Sequence, residues 1–452
     1  MSEERSQPIG VGQPESQREA PPVPQVAPAL PWCRQHWLLL GAILLLGVFM
    51  RGCLLGFPPN KFFDEIYYVD AANDYLKGIA DANSVHPPLA KIQLAAAMLL
   101  FDVAKLNGLI NLEDTVGWRL APALAGVGTV GLTAWLAFVV LRRPRPALLA
   151  AALVAVEHLS VAESRICTLD SIQTFWIMLG ICCAAERIWR SDNDKWLWFS
   201  ALALGVATGC KWNGLFAAAG VVLALWTLRV GELPKSHPLK VLLLYALVIP
   251  GIYALAYIPY ARTLPPAKQT VSQVFSDVKA QHIRMWKFRK DPKQFKHQYL
   301  SSMYQWPFVF RPIWFHFRSE ANHTCTGIVA FGMVPFYWLS VYLLLECLAG
   351  AWTREYWDPV GQFLFITYGS QYFLWVSSWT GFFYYMLPLV PIMAVVVARQ
   401  LDNWLRYRQF RKYAVGFLIM LAVMTLLYFP FMCGLNVPYK YFQTLFFVPS
   451  WV

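Results

Sequence analysis

The sequence predicts an all-α polytopic membrane protein, and three observations carry that prediction. Of the 452 residues, 57% are hydrophobic and only 14% are charged, against roughly 25% charged in soluble domains. The apolar residues come in runs of about 18 to 25, which is the length of a membrane span rather than of a core helix. The net charge of +12 sits in short loops between those runs. That is the charge bias of a multi-spanning chain, and it argues against a nucleic-acid partner.

Hydropathy places about eleven spans, beginning near residues 37, 118, 146, 168, 196, 213, 239, 325, 360, 382 and 412. The stretch 196–231 divides into two at Cys210-Lys211-Trp212-Asn213. Arg142, Arg143 and Arg145 follow the second span, and Arg187, Arg190 and Lys195 follow the fourth. Arg229, Lys235 and Lys240 follow the sixth, and Arg399, Arg406, Arg408, Arg411 and Lys412 follow the tenth. These loops and the N-terminus fall on one side, which is predicted to be cytoplasmic. Loop 52–117, the turns at 163–168 and 210–213, loop 262–324 and the C-terminus then face outward.

Residues 1–35, rich in Pro, Gln and Glu, cannot bury a core and read as a disordered cytoplasmic tail. They do not read as a secretory signal, because the apolar run that follows is too long and lacks a small-residue cleavage site. Residues 36–452 read as one transmembrane catalytic domain. In the outer loops, the short apolar stretch from Lys91 to Val103 predicts an interfacial helix. Val271, Val274, Phe275, Val278, His282, Met285 and Trp286 recur at helical spacing beside Lys279, Lys287, Arg289 and Lys290. They predict an amphipathic helix with a basic face, either for anionic headgroups or as a half-buried loop helix. The nine cysteines form no disulfide framework. Cys182 and Cys183 read as small apolar packing residues, and Cys325 and Cys433 are outer-side candidates to pair.

Every chemically unusual stretch falls on the outer side. Asp64 and Glu65 stand in Phe63-Asp64-Glu65-Ile66-Tyr67, about twenty residues before His86-Pro87-Pro88-Leu89. Adjacent side chains point apart, so the pair divides its roles rather than sharing a proton. Asp64 is the candidate general base, and Glu65 the catalytic partner that orients a neighbour or substrate. The competing reading is a solvated carboxylate or an ion pair with Lys61. The two prolines fix the backbone and hold His86 near the carboxylates. Arg119, Arg165 and Lys211 are cations at span ends, suited either to snorkelling or to clamping a lipid phosphate. Arg165 is flanked by Glu163 and Asp170, which are expected to orient it, and Asp170 is an intramembrane acid. Trp212 and His297 are supporting candidates. The aromatic segments 297–307 and Trp379 to Tyr385 could dock a sugar face, but rings also belt every membrane interface, and the belt is the favoured reading for any single ring. Asn322-His323-Thr324 is a formal glycosylation sequon. His86, His297 and His316 share a side with Asp64 and Glu65, but no spacing is diagnostic of a metal. No cofactor is predicted, and a divalent metal is left open.

Taken together, Phe63-Asp64-Glu65-Ile66-Tyr67, Val85-His86-Pro87-Pro88-Leu89-Ala90-Lys91, Trp118-Arg119-Leu120, Ser164-Arg165 with Leu169-Asp170, and Lys211-Trp212-Asn213-Gly214-Leu215 resemble the protein O-mannosyltransferase family, glycosyltransferase family 39. The resemblance implies a GT-C fold. It implies transfer of mannose, with inversion, from a polyprenyl-phosphate donor to Ser or Thr of proteins on the outer face of a bilayer. It also implies that Asp64 is the base, and that Arg119, Arg165 and Lys211 lie around the donor phosphate. The outer loop of about sixty residues is too short for the β-trefoil insertion of eukaryotic members. The chain therefore resembles a compact bacterial form, expected in the plasma membrane. Trp379-Thr380-Gly381 stands where an arginine is expected near Phe382. Two other readings compete: a GT-C transferase acting on a lipid or glycan acceptor, and a transporter or flippase. The last predicts polar residues reaching both faces. Oligomeric state is not legible.

Overall fold

The computed structural model describes residues 28–81, 83–228, 230, 236–291, 296–352, 358–377 and 380–452. Most of the expected N-terminal tail, together with Arg229, Lys235 and Trp379, lies outside the described residues.

The helices are α1 (Arg34–Gly52), α2 (Glu65–Lys77), α3 (Leu89–Leu106), α4 (Asp114–Leu141), α5 (Pro144–Val156), α6 (His158–Glu163), α7 (Asp170–Trp189), α8 (Lys195–Cys210) and α9 (Gly214–Thr227). They continue with α10 (Pro238–Leu255), α11 (Tyr257–Thr263), α12 (Val271–Lys290), α13 (Val334–Trp352), α14 (Pro359–Tyr372), α15 (Val390–Arg406), α16 (Arg408–Cys433) and α17 (Tyr439–Leu445). Five helical segments among the described residues are long and apolar enough to cross a membrane: Arg34–Gly52, Asp114–Leu141, Pro238–Thr263, Phe383–Arg406 and Arg408–Cys433. Leu45, Leu247 and Leu426 are among the most exposed side chains of α1, α10 and α16. Apolar surface of that kind faces lipid rather than water. The protein is an integral membrane protein.

Helix α7 is the centre of the bundle and is buried on almost every side. A helix without a polar face belongs in the interior, and α7 packs between α4 and α8. Small residues allow the close approach. A Cβ added at Gly180 of α7 would stand 2.6 Å from Leu204 of α8. The α7 N-terminus therefore holds Asp170 at one end of the packed core.

Helix α3 has 18 residues, longer than the interfacial stretch expected. The amphipathic helix forms as α12. The chain is not wholly α-helical. Strand β1 (Ser301–Ser302) pairs with β4 (Thr380–Gly381), and β2 (Ile313–Ser319), β3 (Thr324–Ala330) and β5 (Val437–Pro438) form a second sheet in the order β2-β3-β5. Residues 324–330 were expected to open a span. Instead β2 pairs with them across a turn at His323, whose φ is +59°. Window hydropathy counts Ile328, Val329 and Ala330 as the start of a helix. The β-branched residues and the preceding Asn-His turn make a hairpin instead. The helix begins only at Val334. All nine cysteines are free thiols, Cys325 and Cys433 included, so the pairing considered for those two is not made.

The loop between α2 and α3 is closed by a buried ion pair that sequence patterning did not flag. Lys91 bonds to the Asp81 carboxylate and the Asn83 carbonyl, and neither charged side chain reaches solvent. This pair seats Pro87 and Pro88 at the head of α3. Lys91→Ala leaves the Asp81 carboxylate buried without a counter-charge, at a cost of about 3–5 kcal/mol. Thermal unfolding in detergent should show a clear loss of melting temperature. An unchanged melting temperature would mean the loop does not depend on the pair.

Candidate active site

The two adjacent carboxylates meet opposite environments. Glu65, the first residue of α2, is fully buried. Its oxygens accept from Arg119 Nε at 2.7 Å and Nη2 at 2.9 Å, and from the Cys167 amide at 2.9 Å. Arg119, near the start of α4, also donates to the carbonyls of Leu55 at 2.8 Å, Pro58 at 3.0 Å and Asn60 at 3.3 Å. Its guanidinium lies 5.0 Å from the centre of the Phe62 ring. This cluster fastens the loop after α1 both to α4 and to the turn before α7.

The same chain path leaves Asp64 open. Phe63 is held at φ +50°, a conformation that costs a bulky residue about 1–3 kcal/mol and persists only where its surroundings enforce it. Its ring is fixed against Phe315 at 4.8 Å and Tyr384 at 6.5 Å between centroids. Asp64 follows in helical geometry at the head of α2, but its carboxylate makes no capping bond. It is partly exposed, and among the described residues no hydrogen bond or ion pair holds it. Lys61, its alternative partner, pairs with Asp70 instead. Desolvation raises the Asp64 pKa to about 6, Lys211 opposes that rise and Asp170 adds to it. Asp64 is thus ionised at neutral pH and close to its own pKa, the condition for an effective general base.

Lys211 stands in the break between α8 and α9. Its ammonium is 2.9 Å from both oxygens of Asp170 and lies 5.7 Å and 5.9 Å from the ring centres of Tyr384 and Tyr385. The turn is set by Gln173, which donates to the Lys211 carbonyl at 2.7 Å. It also depends on Gly214, where a Cβ would come within 2.5 Å of the Thr208 amide nitrogen. Glu163 accepts from the Thr168 hydroxyl at 3.0 Å and feels the charges of Asp170, Lys211 and Asp64. Asp64, Glu163, Asp170 and Lys211, from four separated stretches, therefore form one electrostatic group walled by Tyr68, Tyr384 and Tyr385.

The remaining candidates lie further out. Arg165 is not oriented by Glu163 and Asp170, as its neighbours in sequence suggested. It donates to the Met50 and Arg51 carbonyls at 3.1 Å and 3.0 Å and to Leu54 at 3.4 Å, capping the end of α1. Every nitrogen of Arg119 already faces a protein acceptor, and a phosphate could reach it only by displacing one. His86 is half-buried, 6.2 Å from the Tyr68 ring. His297 accepts from the Tyr299 amide at 3.2 Å and sits 5.3 Å from Phe382, which stacks on Tyr384 at 5.4 Å. Trp212 points away from the carboxylates. Its indole donates to Tyr253 at 3.0 Å, and Tyr253 bonds His282 of α12 at 2.8 Å. Among the described residues no three His, Cys, Asp or Glu side chains are placed to hold a metal. Sequence reasoning treated Tyr384 and Tyr385 as belt aromatics. Their signal was the polar Lys211-Trp212 turn, whose cation needs a partner surface that hydropathy cannot locate.

Comparison with known proteins bears on the family and the fold. The family model described as dolichyl-phosphate-mannose-protein mannosyltransferase matches residues 41–263, which include all the residues of the electrostatic group. The polyprenol-phosphate-mannose–protein mannosyltransferase of Mycolicibacterium smegmatis is 22% identical over 92% of this chain and 93% of its own length. Dolichyl-phosphate-mannose–protein mannosyltransferase 1 of Candida albicans is 31% identical over 45% of this chain. The matched stretch is only 24% of the Candida protein, so the chain spans about a quarter of that relative. Among solved structures, the donor-bound Pmt1–Pmt2 complex of Saccharomyces cerevisiae superposes with a TM-score of 0.75 at 15% identity, covering 94% of this chain and 93% of the matched one. ArnT of Cupriavidus metallidurans with undecaprenyl phosphate gives 0.56 at 15% identity, covering 88% and 65%. These likenesses show the GT-C fold. With the ordered motifs from Asp64 to Lys211, they show that the chain belongs to the dolichyl-phosphate-mannose-protein mannosyltransferase family of glycosyltransferases.

Proposed function

We propose that the protein transfers mannose, or another hexose, from a polyprenyl-phosphate donor to Ser or Thr hydroxyls of proteins on the extracytoplasmic face, inverting the anomeric carbon. The observation that carries this reading is the contrast between neighbours: Glu65 is fully engaged with Arg119, while Asp64 stands desolvated and without a partner. Asp64 accepts the proton of the acceptor hydroxyl as its oxygen attacks the anomeric carbon. The lipid phosphate departs with the bonding electrons. It is already a good leaving group, so the paired acid of glycoside hydrolases is not needed. Lys211 has two of its three protons turned to Asp170, and the third is available to the phosphate as its charge grows. Arg119 and Arg165 act one step back. They hold the loop and the end of α1 in place, and in this reading they replace the direct phosphate contacts expected of them. Glu65 is likewise a positioning residue.

Residues 36–452 form the transferase domain in this reading. The arginine-rich helix ends and the N-terminus are cytoplasmic, the site and C-terminus face outward, and the membrane is a bacterial plasma membrane. The loop charge bias supports that topology, and the near full-length match to the mycobacterial relative supports the bacterial form.

Three outcomes test the assignment. Asp64→Asn should lower transfer from a radiolabelled lipid-phosphate sugar by about two to four decades. It should not lower the melting temperature, because burial disfavours the charge that the substitution removes. Glu65→Gln should do the reverse to stability, costing about 3–5 kcal/mol by leaving Arg119 buried and unpaired. Full transfer by the first variant would remove Asp64 from the mechanism, and an undisturbed second variant would remove the positioning role of Glu65. The third outcome concerns pH. Only the ionised carboxylate is a base, so activity is present above the Asp64 pKa of about 6 and declines about tenfold per pH unit below it. A flat kcat/KM profile from pH 7 to 5 would contradict the assignment.

A further inference from the structure

The end of the bundle opposite Asp64 carries a cavity with a basic rim. Arg119 lies in the second turn of α4 and Arg142 just past its other end, and Asp170 and Trp189 are the two ends of α7. At the helical rise these pairs are about 35 Å and about 28 Å apart. At the far end lies a cavity of about 480 Å³ lined by Arg142, Arg143, Arg399, Arg406 and Asp402, over an apolar floor that includes Val140 and Val360. That volume is within the roughly 300–1,000 Å³ of ordinary ligand pockets.

Its charges do not balance. Arg143 lies 3.6 Å from Asp402, and Arg145 and Arg406 bond to the same carboxylate. Arg399 pairs with Asp358 at 2.6 Å. Arg142 donates to the Trp189 carbonyl at 3.4 Å, and its Nε is buried with no acceptor among the described residues. Among the described residues, four guanidinium groups and one carboxylate line the cavity, an excess of three positive charges, and Arg145 and Asp358 pair with its lining from outside. The side chain of Asp402 is nearly buried, so three of the arginines converge on a single internal anion. A guanidinium fork with unfilled donors matches the oxygens of a phosphate, as it does those of a carboxylate. The apolar floor suits an acyl chain rather than water.

We propose that this cavity binds a phosphate group, that of an anionic phospholipid entering from the bilayer with its chains against the apolar floor. Basic pockets between membrane helices hold such headgroups by charge and shape together. The site lies far from Asp64 and takes no part in the transfer chemistry. Its occupant ties the loop after α4 to the end of α15 and the start of α14.

The test uses the full chain in nanodiscs of phosphatidylcholine containing phosphatidylglycerol, with retained lipid counted by native mass spectrometry. A parallel arm titrates inorganic phosphate in detergent. Phosphatidylglycerol should be retained over phosphatidylcholine, and Arg143→Gln and Arg399→Gln should each weaken retention about fivefold. Asp402→Asn removes the competing internal anion and should strengthen it, which supplies a test of opposite sign if an arginine variant fails to fold. Lys412→Gln, whose ammonium lies over the Tyr413 ring outside the cavity, should leave retention unchanged. Phosphate binding with the same pattern of variants and no lipid selectivity would uphold the anion site and assign it to a soluble phosphate. Absence of anion binding in both arms, or an equal loss with Lys412→Gln, would overturn it.

Discussion

The buried pair of Arg119 with Glu65 is the constraint on which the site depends. Burying two charges is costly, and the cost is offset only where geometry and further hydrogen bonds are complete. Here both conditions hold. The guanidinium meets two carboxylate oxygens and three loop carbonyls, and the carboxylate also takes the Cys167 amide. Loop, α4 and the turn before α7 thus share one joint. Next to the joint, Phe63 takes a left-handed turn, and the Asp64 carboxylate that follows has no hydrogen-bond partner among the described residues. In the proposed reading the reactive group is defined by what its neighbour has absorbed.

The same device recurs around the site. Arg51, fully buried, donates to the carbonyls of Ala155 at 3.0 Å and Val154 at 3.1 Å and to the Ser160 hydroxyl at 2.9 Å, in the bend between α5 and α6. Arg165 caps α1, and Lys91 closes the loop before α3. Where no water reaches, irregular backbone must find its partners inside the protein. Long cationic side chains bridge several carbonyls at once. The Asp64 end of the bundle is therefore tied together by side-chain bonds where its polar residues lie, while the helical walls are held by close packing such as Gly180 on Leu204. Lys211 differs from the other cations. It meets a carboxylate and two aromatic faces, and in the proposed reading its third donor serves the ligand.

Much of this was legible in the sequence. The apolar runs announced a membrane protein, the period of residues 271–286 announced α12, and the polar interruption at residues 210–213 is where α8 gives way to α9. The motifs from Asp64 to Lys211 carried the family. Partner choice was not legible, because it depends on three-dimensional direction. Arg165 neighbours two acids in sequence, yet its side chain runs to α1, and Asp170 turns to a lysine forty-one residues away. The hairpin of β2 and β3 was missed because window hydropathy does not register the turn at Asn322-His323 or the β-branched residues beside it. Which helices cross the bilayer is also only partly legible. The central α7 is too polar at its ends to qualify by composition, although it is buried along almost its whole length.

The most direct measurement is a structure of the chain with a polyprenyl-phosphate mannose and a Ser-containing peptide bound. The account predicts the acceptor hydroxyl within hydrogen-bond reach of Asp64, about 2.6–3.2 Å, the donor phosphate against the Lys211 ammonium, and Arg119 still clasping Glu65. A complex in which the phosphate takes the guanidinium of Arg119 from Glu65, or in which the hydroxyl lies beyond the reach of Asp64, would contradict it.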